Sequence, residues 1–257
     1  MTMRYAKGYI ELNDTKDFPL LRQVLRSGYV THRQLFEFMR LGAYEHSRPS
    51  FNWRVQRLVA HDLIARNELP GYGRNFVYSV ASAGAEYLVS KGEFFIGLPA
   101  EKGRAQREAA VHHAVDVNEI YFALAKTGRL VSWAWEIEIR SQNELTGFGF
   151  QKDYDAIVTL RGLSGPADFA LEYERRPKTL AQYRVIRKAI EREERVDRFV
   201  YLVSNYHLHT LLRRVFRGTK RALFIGSSGD VLEGQLSAPL EDVRNGRQRE
   251  LGEVIEQ

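Results

Sequence analysis

The chain has 257 residues, no cysteine and a formal net charge of +6 at pH 7. This length allows one large or two small domains with a hydrophobic core, and the lack of cysteine excludes disulfides and thiolate metal sites. No apolar run approaches the ~20 residues that span a bilayer, and the N-terminal MTMRYAKGYIELND lacks the apolar stretch of a signal peptide. We therefore expect a cytoplasmic protein without membrane contact, whose positive charge attracts polyanions such as nucleic acid.

The first 95 residues predict three helices, a two-stranded hairpin and a closing helix. Apolar residues recur at helical spacing in DFPLLRQVLRSG, in THRQLFEFMRLG, which Thr31 caps, and in SFNWRVQRLVAHDLI, which Ser50 caps. The strands LIARNEL and NFVYSV flank the turn PGYGR, and the helix SAGAEYLVSKG follows. This is the element order of a winged helix-turn-helix, so we expect residues 1–95 to form such a DNA-binding domain.

The third helix predicts a surface that reads DNA. If Val55, Leu58 and Val59 point inward, the polar side chains of this helix fall on its outer face and flanks. Glutamine and arginine there can bond base edges in a major groove, while other basic groups reach phosphates and the wing tip reaches a minor groove or the backbone. The predicted contacts are Asn52, Trp53, Arg54, Gln56 and Arg57, with His32 and Arg33 on the second helix and Arg74 on the wing. The alternative is an ordinary amphipathic helix with a solvated face.

A change in composition predicts a domain boundary. The stretch GEFFIGLPAEKGRAQ is rich in glycine, proline and charge, and we assign residues 96–106 to a linker. We assign residues 107–235 to a second domain and residues 236–257 to a polar C-terminal tail.

The second domain predicts a mixed sheet with helices packed on it, since its elements follow the order α-β-β-β-α-β-α-β. The predicted segments are the helix AAVHHAVDVNEIYFALAKTG, the strands LVSWAWEIEIR, DYDAIVTL and DFALEYERR, the helix TLAQYRVIRKAIEREE, the strand RFVYLVS, the helix HLHTLLRRVFRG and the strand RALFIG. The fold class is therefore mixed α+β.

Acidic residues recur where this domain could carry chemistry. Glu119 is on the leading helix, Asp155 is in the second strand, and Glu172 and Glu174 share one face of the third strand. The short loop between these two strands predicts a hairpin that brings Asp155 beside Glu172. Two adjacent carboxylates suit Mg²⁺, which can activate water for attack on a phosphodiester. The alternative is that the acids form the solvated face of the hairpin.

The second half resembles the PD-(D/E)XK nuclease fold in its α-β-β-β-α-β order, with an acid in YDAIV and the strand LEYERR. From Asp17 to Phe216, a winged helix followed by HHAVDVNEIYFAL, WAWEIEIR, KDYDAIV and FALEYERRPKTLAQYRVIRKAIE is similar to the bacterial replication-relaxation family. That family is associated with plasmid replication and DNA relaxation. The resemblance implies that Asp155 and Glu172 are the strand acids that hold a metal, and that Glu119 is the helix acid.

The chain departs from the family's pattern at its lysine. The pattern is an acid, any residue and then lysine, whereas here Glu172 and Tyr173 are followed by Glu174. A lysine would orient the attacking water and offset negative charge, but a glutamate adds like charge and favours a cation or a proton. Lys178 or Lys152 could supply the missing positive charge from elsewhere. The residue before Asp155 is a tyrosine rather than the proline of the pattern.

A basic segment follows the third strand. Arg175, Arg176 and Arg184 could line a groove that tracks a phosphate backbone, or they could pair with acids on exposed helix faces.

Together these features predict a protein that binds double-stranded DNA in plasmid or mobile-element replication or in transcriptional control, with a nuclease-like domain degenerate at its lysine position. One alternative is an active Mg²⁺-dependent nickase or endonuclease. Its candidate catalytic residues are Asp155, Glu172, Glu119, Glu174 and Lys178. A protein-interaction scaffold is a further alternative, and the sequence leaves open whether the protein forms a homodimer.

Overall fold

The computed structural model describes residues 10–68, 76–96 and 104–256. The chain divides into two compact units, Met1–Asn118 and Glu119–Gln257. The division falls within one helix, Arg104–Ala125. Across the described ranges, no helix combines the length and the apolar character that crossing a membrane requires.

The N-terminal unit combines helices with a three-stranded antiparallel sheet in the order β1–β3–β2. Its elements are α1 (Asp17–Ser27), β1 (Val30–Thr31), α2 (His32–Leu41), α3 (Arg48–Ala60), β2 (Ile64–Glu68), β3 (Phe76–Val80), α4 (Ser82–Ser90) and the first part of α5 (Arg104–Ala125). The order of helices and hairpin is the predicted one. Strand β1 was not foreseen, because two residues carry no readable alternation.

Helix caps fix the starts of α2 and α3. Thr31 Oγ1 accepts from the Gln34 backbone N–H at 3.2 Å, and the Gln34 side chain accepts from the Thr31 N–H at 3.1 Å, which completes a capping box. The prediction that Ser50 caps the third helix is wrong, because Ser47 is the cap and its hydroxyl accepts from the Ser50 N–H. Pro49 is tolerated in the first turn, where a backbone N–H has no helical partner.

The first part of α5 packs within the N-terminal unit. Val111 is buried against Val77, and the Gln34 side chain donates to the Val115 carbonyl at 2.9 Å. Asn118 Nδ2 donates to the Tyr29 carbonyl at 3.0 Å. The predicted linker at 96–106 therefore does not coincide with the division of the chain: its last residues, 104–106, are helical, while residues 97–103 lie outside the described ranges.

The C-terminal unit is mixed α+β, with a seven-stranded sheet in the order β10–β9–β8–β7–β6–β5–β4. Strands β6, β7 and β8 are parallel, and the other neighbouring pairs are antiparallel. The elements are β4 (Leu130–Trp135), α6 (Glu136–Leu145), β5 (Ala156–Arg161), β6 (Pro166–Glu174), α7 (Leu180–Arg192), β7 (Arg198–Val203), α8 (Tyr206–Val215), β8 (Ala222–Ser227), α9 (Ser228–Gly234), a 3₁₀ turn (Gln235–Ser237), β9 (Pro239–Asp242), β10 (Gln248–Glu250) and α10 (Leu251–Ile255).

The prediction of one continuous strand through LVSWAWEIEIR is wrong. The strand ends at Trp135, whose N–H donates to Glu138 Oε2 at 2.9 Å, and a helix follows. Alternating glutamate and isoleucine is the pattern expected of a strand. In the structure this segment is helical, and Ile137 and Ile139 are both buried.

The prediction of a polar C-terminal tail is also wrong. Residues 239–242 form β9, which pairs antiparallel with β8, and β10 and α10 follow. Leu240, Leu251 and Val254 are buried. Charged residues are frequent in this segment, but a few well-spaced apolar side chains are enough to anchor it to the sheet.

Helices α7 and α8 connect the parallel strands and pack on one face of the sheet. The core on this face includes Tyr183 and Ile190 of α7, Leu208 and Leu212 of α8, and the sheet residues Ala170, Phe199, Tyr201 and Leu223. On strand β6, the residues after Ala170 that point to this face lie near the C-terminal end of the strand, where the candidate site is found.

Candidate active site

The acids at the end of β6 are buried. Glu172 and Glu174 alternate with Tyr173, so they lie on the face of Ala170, which belongs to the core beneath α7 and α8. Their exposed fractions are 4% and 2%. The alternative that they form the solvated face of a hairpin is therefore wrong.

Asp155 is brought to Glu172 by the β5–β6 hairpin. The antiparallel register pairs Ala156 with Leu171, so the residue before Ala156 is next to Glu172. Asp155 Oδ2 accepts a hydrogen bond from the Tyr173 backbone N–H at 2.7 Å. The predicted hairpin is thus present, although Asp155 precedes strand β5 rather than lying within it.

Two lysines neutralise the two glutamates. The Lys152 ammonium is ion-paired to Glu172 Oε1, and the Lys178 ammonium is ion-paired to Glu174 Oε1. Lys152 also donates to the Asp153 carbonyl at 3.1 Å. We call Asp155, Glu172, Glu174, Lys152 and Lys178 the carboxylate–lysine cluster. Both lysines that the sequence offered as substitutes for the missing motif lysine are therefore in the cluster, each on a different glutamate.

Burial dominates the electrostatics of the cluster. It raises the pKa of Glu172 to about 7, with the Lys152 charge opposing this rise and the Asp155 charge adding to it. Burial also raises the pKa of Glu174, against the opposing effect of Lys178. Burial lowers the pKa of Lys178, but the Glu174 charge outweighs that effect and the net pKa is raised. Burial therefore favours the protonated form of Glu172, against the effect of Lys152.

Tyr201 adds a buried hydroxyl that sequence reasoning missed. It stands on β7 as the register partner of Glu172, and its hydroxyl has no hydrogen-bond partner among the described residues. Burial, with the nearby Glu172 charge, raises its pKa well above 10, so the phenol stays neutral and can donate. In the apolar run RFVYLVS this tyrosine reads as an ordinary core residue, and no sequence signal separates it from its neighbours.

Glu193 braces the segment that carries Lys152, and sequence reasoning missed it too. It is 1% exposed, and its Oε2 accepts from the Gln151 N–H at 2.8 Å and from the Tyr154 hydroxyl at 3.2 Å. Lys152 lies between these two anchored residues. In the sequence, Glu193 belongs to the charge run EREE, which reads as a solvated helix end.

Glu119 does not complete a metal site. It is half-buried on α5, and within the described ranges no group of three or more His, Asp or Glu residues is arranged to hold a metal ion. Asp155 and Glu172 alone fit a cation that keeps water and phosphate oxygens as its remaining ligands, which is how Mg²⁺ usually binds.

The basic residues after β6 differ in their exposure. Arg176 and Arg184 are exposed, whereas Arg175 is half-buried and its carbonyl accepts from Ser204 Oγ at 3.1 Å. Two arginines therefore face solvent close to the cluster in sequence.

In the N-terminal unit, the prediction that Arg54 contacts phosphate is wrong. Its guanidinium is buried and donates to Asp17 Oδ1 at 2.6 Å, and Glu45 lies 3.8 Å away. Asp17 is fully buried, so the arginine serves to compensate its charge.

Arg57 also pairs with the buried Asp17, which corrects its predicted role in reading bases. It is ion-paired to Asp17 Oδ2 and donates to the Glu11 carbonyl at 3.3 Å, with its side chain 17% exposed. Its guanidinium also lies 4.9 Å from the ring centre of Trp53.

His32 and Asn52 contact each other. His32 Nε2 donates to Asn52 Oδ1 at 2.9 Å, and Nδ1 then accepts from the Tyr78 hydroxyl at 3.1 Å. Burial lowers the pKa of His32, with the Asn52 bond opposing this, so the ring is neutral at pH 7. Both ring nitrogens have protein partners in this arrangement, and the predicted contact of His32 with a phosphate stays a prediction.

The remaining predicted DNA contacts are either exposed or outside the described residues. Arg33, Trp53 and Gln56 are exposed. Arg74 lies outside the described residues.

Comparisons with known proteins add little. No family model matches the chain, so the resemblance to the replication-relaxation family stays a prediction, and no curated protein matches either. Two solved structures superpose loosely on the chain: the restriction endonuclease FokI, at 12% identity and a TM-score of 0.28, and FokI bound to DNA, at 13% identity and a TM-score of 0.27. They cover 88% and 84% of this chain, which spans only 45% and 43% of theirs. Superpositions this loose do not establish a shared fold.

Proposed function

We propose that this protein acts on double-stranded DNA and that its C-terminal unit is a metal-dependent phosphodiesterase of the PD-(D/E)XK type, either a nickase or an endonuclease. The observation that carries the proposal is the carboxylate–lysine cluster, in which Asp155 and Glu172 are adjacent and Lys152 reaches Glu172. Buried ionic groups are costly to a fold, and carboxyls with displaced pKa values concentrate at functional sites.

The carboxylate–lysine cluster contains the positive charge that the motif would place at position 174. Lys152 brings an ammonium to Glu172, where it can orient a water and offset charge on a phosphate. Glu174 occupies the motif's lysine position, but Lys178 neutralises it, so it does not add uncompensated like charge. Tyr201 can donate a hydrogen bond from its neutral hydroxyl on the same face.

The cation expected at Asp155 and Glu172 is Mg²⁺, since hard oxygen donors select it. When bound, it would stabilise negative charge on the phosphodiester and lower the pKa of the attacking water. Asp155 is oriented for this role by the Tyr173 N–H, which fixes one of its two oxygens.

We further propose that the N-terminal unit is a winged helix that grips duplex DNA. The order α1, β1, α2, α3, β2, β3 with the sheet order β1–β3–β2 supports this assignment. Arg33, Trp53 and Gln56 then provide the exposed contacts. A role in plasmid or mobile-element replication is part of the proposal and rests on the sequence resemblance alone.

A second candidate function is DNA binding without cleavage, as in transcriptional control. The observation that favours it is that both glutamates already have lysine partners. The two ammonium groups already supply positive charge beside these carboxylates, which a buried cluster needs whether or not a cation binds.

Incubation of supercoiled plasmid with the protein and Mg²⁺ or Mn²⁺ tests the proposal. We expect conversion to the nicked or linear form by the wild-type chain and its loss in Glu172→Gln. The matched control is Asp168→Asn, since Asp168 is an exposed acid on the same strand. Absence of cleavage under both metals, with duplex binding intact, would leave the second candidate. Absence of duplex binding even at low salt would leave the scaffold alternative.

A further inference from the structure

Helices α7 and α8 lie side by side on one face of the seven-stranded sheet. Each connects two neighbouring parallel strands, α7 from β6 to β7 and α8 from β7 to β8, so both helices run in the same direction. Arg187 Nη1 donates to the Val215 carbonyl at 3.2 Å, and Thr219 Oγ1 donates to Glu191 Oε1 at 2.6 Å. The second half of α7 is therefore in contact with the end of α8 and the residues that follow it.

The outer faces of both helices are basic. On α7, Arg184, Lys188 and Arg192 follow one another at intervals of four residues and are exposed, so they form one stripe with a rise of about 6 Å per step. At the end of α8 and just after it, Arg214 and Arg217 are exposed three residues apart. We call these five residues the helical basic surface.

The contact between the helices brings the two groups of cations together. Lys188 directly follows Arg187 and lies three positions before Glu191, and both of these residues touch the α8 segment. Arg214 directly precedes Val215, whose carbonyl accepts from Arg187. Cations of both helices therefore border the same interhelical contact.

Acids do not compensate the charge of this surface. Helix α8 contains no acid, and α7 contains one, Glu191, whose side chain already accepts from Thr219. Within the described ranges, none of the five cations has a hydrogen bond or an ion pair through its side chain. The other arginines of these helices do: Arg187 donates to a backbone carbonyl of α8, and Arg213 lies 3.0 Å from Glu241. Like charges four residues apart lower the stability of a helix, and an anionic partner would relieve this repulsion.

The chemistry of the helical basic surface fits the phosphate backbone of duplex DNA. A duplex presents regularly spaced negative charges, which arginine and lysine neutralise whatever the sequence. A lipid surface fits less well, because helices that bind membranes direct an apolar face outward. The apolar face of α7, with Tyr183 and Ile190, is buried in the core, and the exposed Val185 is set among cations. No aromatic ring belongs to the helical basic surface, so it offers unpaired bases nothing on which to stack.

We propose that the helical basic surface binds the phosphate backbone of duplex DNA without reading its sequence. This inference rests on the proposed action on double-stranded DNA, and it adds a binding site within the C-terminal unit that is separate from the carboxylate–lysine cluster. The bases would be read by α3, while the helical basic surface would hold the C-terminal unit to the duplex whatever the sequence. Of the two roles that the sequence left open for Arg184, contact with the backbone fits the structure, since no acid pairs with this arginine within the described ranges.

Fluorescence anisotropy of the full chain with a labelled duplex, titrated at several salt concentrations, tests the inference. We expect Lys188→Gln/Arg214→Gln to weaken binding to any duplex about tenfold at about 0.1 M salt and to lower the slope of log affinity against log salt by about two, as the loss of two phosphate contacts does. The matched control is Lys126→Gln/Arg161→Gln, which removes the same charge from exposed residues of the C-terminal unit outside α7 and α8 and should bind like wild type. Lys188→Arg should also bind like wild type. Thermal unfolding should be the same for all these chains, since every substituted residue is exposed.

The outcomes separate the inference from the proposed nuclease. Glu172→Gln should abolish plasmid cleavage and keep duplex binding, so a chain that never cleaves but still shows the Lys188→Gln/Arg214→Gln effect refutes only the nuclease. A chain that cleaves plasmid while Lys188→Gln/Arg214→Gln binds duplex as tightly as the control refutes only the inference. If that variant keeps duplex binding but loses binding to labelled poly-glutamate, the surface takes an acidic protein segment, and the inference is overturned.

Discussion

Lys152 donates from its ammonium group to the carboxylate of Glu172, twenty residues further along the chain. No lysine stands two residues after Glu172 in the sequence, and the structure brings one to its carboxylate from the segment before strand β5. Glu193 makes this possible, because it anchors Gln151 and Tyr154 on both sides of Lys152. A lysine–glutamate pair is therefore formed by residues that are far apart in the sequence.

Removing the ammonium should expose the cost of burying Glu172. Lys152→Met leaves a buried carboxylate without its partner, and we expect the free energy of unfolding at pH 8 to fall by about 3 kcal/mol. In the double variant Lys152→Met/Glu172→Gln most of this loss should disappear, since no charge remains to be compensated. Urea denaturation of the two single variants and the double variant measures the coupling. Additive effects of the two substitutions would show that the pair does not interact.

The raised pKa of Glu172 predicts a pH dependence of stability. A carboxyl whose pKa rises on folding favours the native state while it is protonated, so its contribution is complete below about 4.5 and is lost as pH rises through about 7. The displacement from 4.5 to about 7 corresponds to about 3 kcal/mol. Glu172→Gln should remove this fall. The check is urea denaturation of both proteins at pH 5 and pH 8: the variant should gain on wild type at the higher pH, and a constant difference would contradict the raised pKa.

The Tyr201 hydroxyl has no hydrogen-bond partner among the described residues, so removing it should lower activity without lowering stability. Removing it in Tyr201→Phe deletes a buried donor that lacks a protein partner, so we expect stability to stay the same or to rise by up to about 1 kcal/mol. Plasmid cleavage should fall at least several-fold if the hydroxyl donates to the Glu172 carboxylate, its neighbour across the strand pair, during the reaction. Thermal unfolding and the cleavage assay on one preparation measure both. A marked loss of stability would show that the hydroxyl is bonded within the fold.

The regular elements could be predicted because their side chains alternate or recur at helical spacing. The hairpin that joins Asp155 to Glu172 follows from two such strands and a short loop. Helix α6 could not be predicted, since alternating glutamate and isoleucine fits a strand as well as a helix and only the cap at Trp135 decides. Strand β9 was hidden by the charged residues around it.

The site was predictable only in part. Adjacent carboxylates follow from strand pairing, but the position of an amine on a long flexible side chain does not, so Lys152 and Lys178 could not be assigned to Glu172 and Glu174. Burial of Arg54 was missed for a similar reason: its partner Asp17 is 37 residues away, and helical periodicity says nothing about a charge compensated across two helices.

The buried pairing of Asp17 predicts a structural role for Arg54. Replacing it in Arg54→Ala leaves Asp17 with Arg57 as its remaining arginine partner, and we expect a loss of about 3 kcal/mol in the free energy of unfolding. The control is Arg33→Ala, since Arg33 is exposed and surface changes usually stay within about 0.5 kcal/mol. Thermal and urea unfolding of both variants decide the matter. Equal stabilities would return Arg54 to the DNA-binding surface.

The exposed residues of α2 and α3 should have different roles in binding duplex DNA: Gln56 should contact bases and Arg33 should contact phosphate. Gln56 lies on the exposed face of α3, so Gln56→Ala should reduce the preference for a duplex selected from a random pool over a scrambled duplex by about tenfold. Arg33→Ala should instead weaken binding to both duplexes alike and lower the slope of affinity against salt by about one, as the loss of a phosphate contact does. Anisotropy titrations at several salt concentrations give both quantities. If Gln56→Ala weakens both duplexes equally, then α3 does not read bases, and the winged-helix proposal has to place recognition elsewhere.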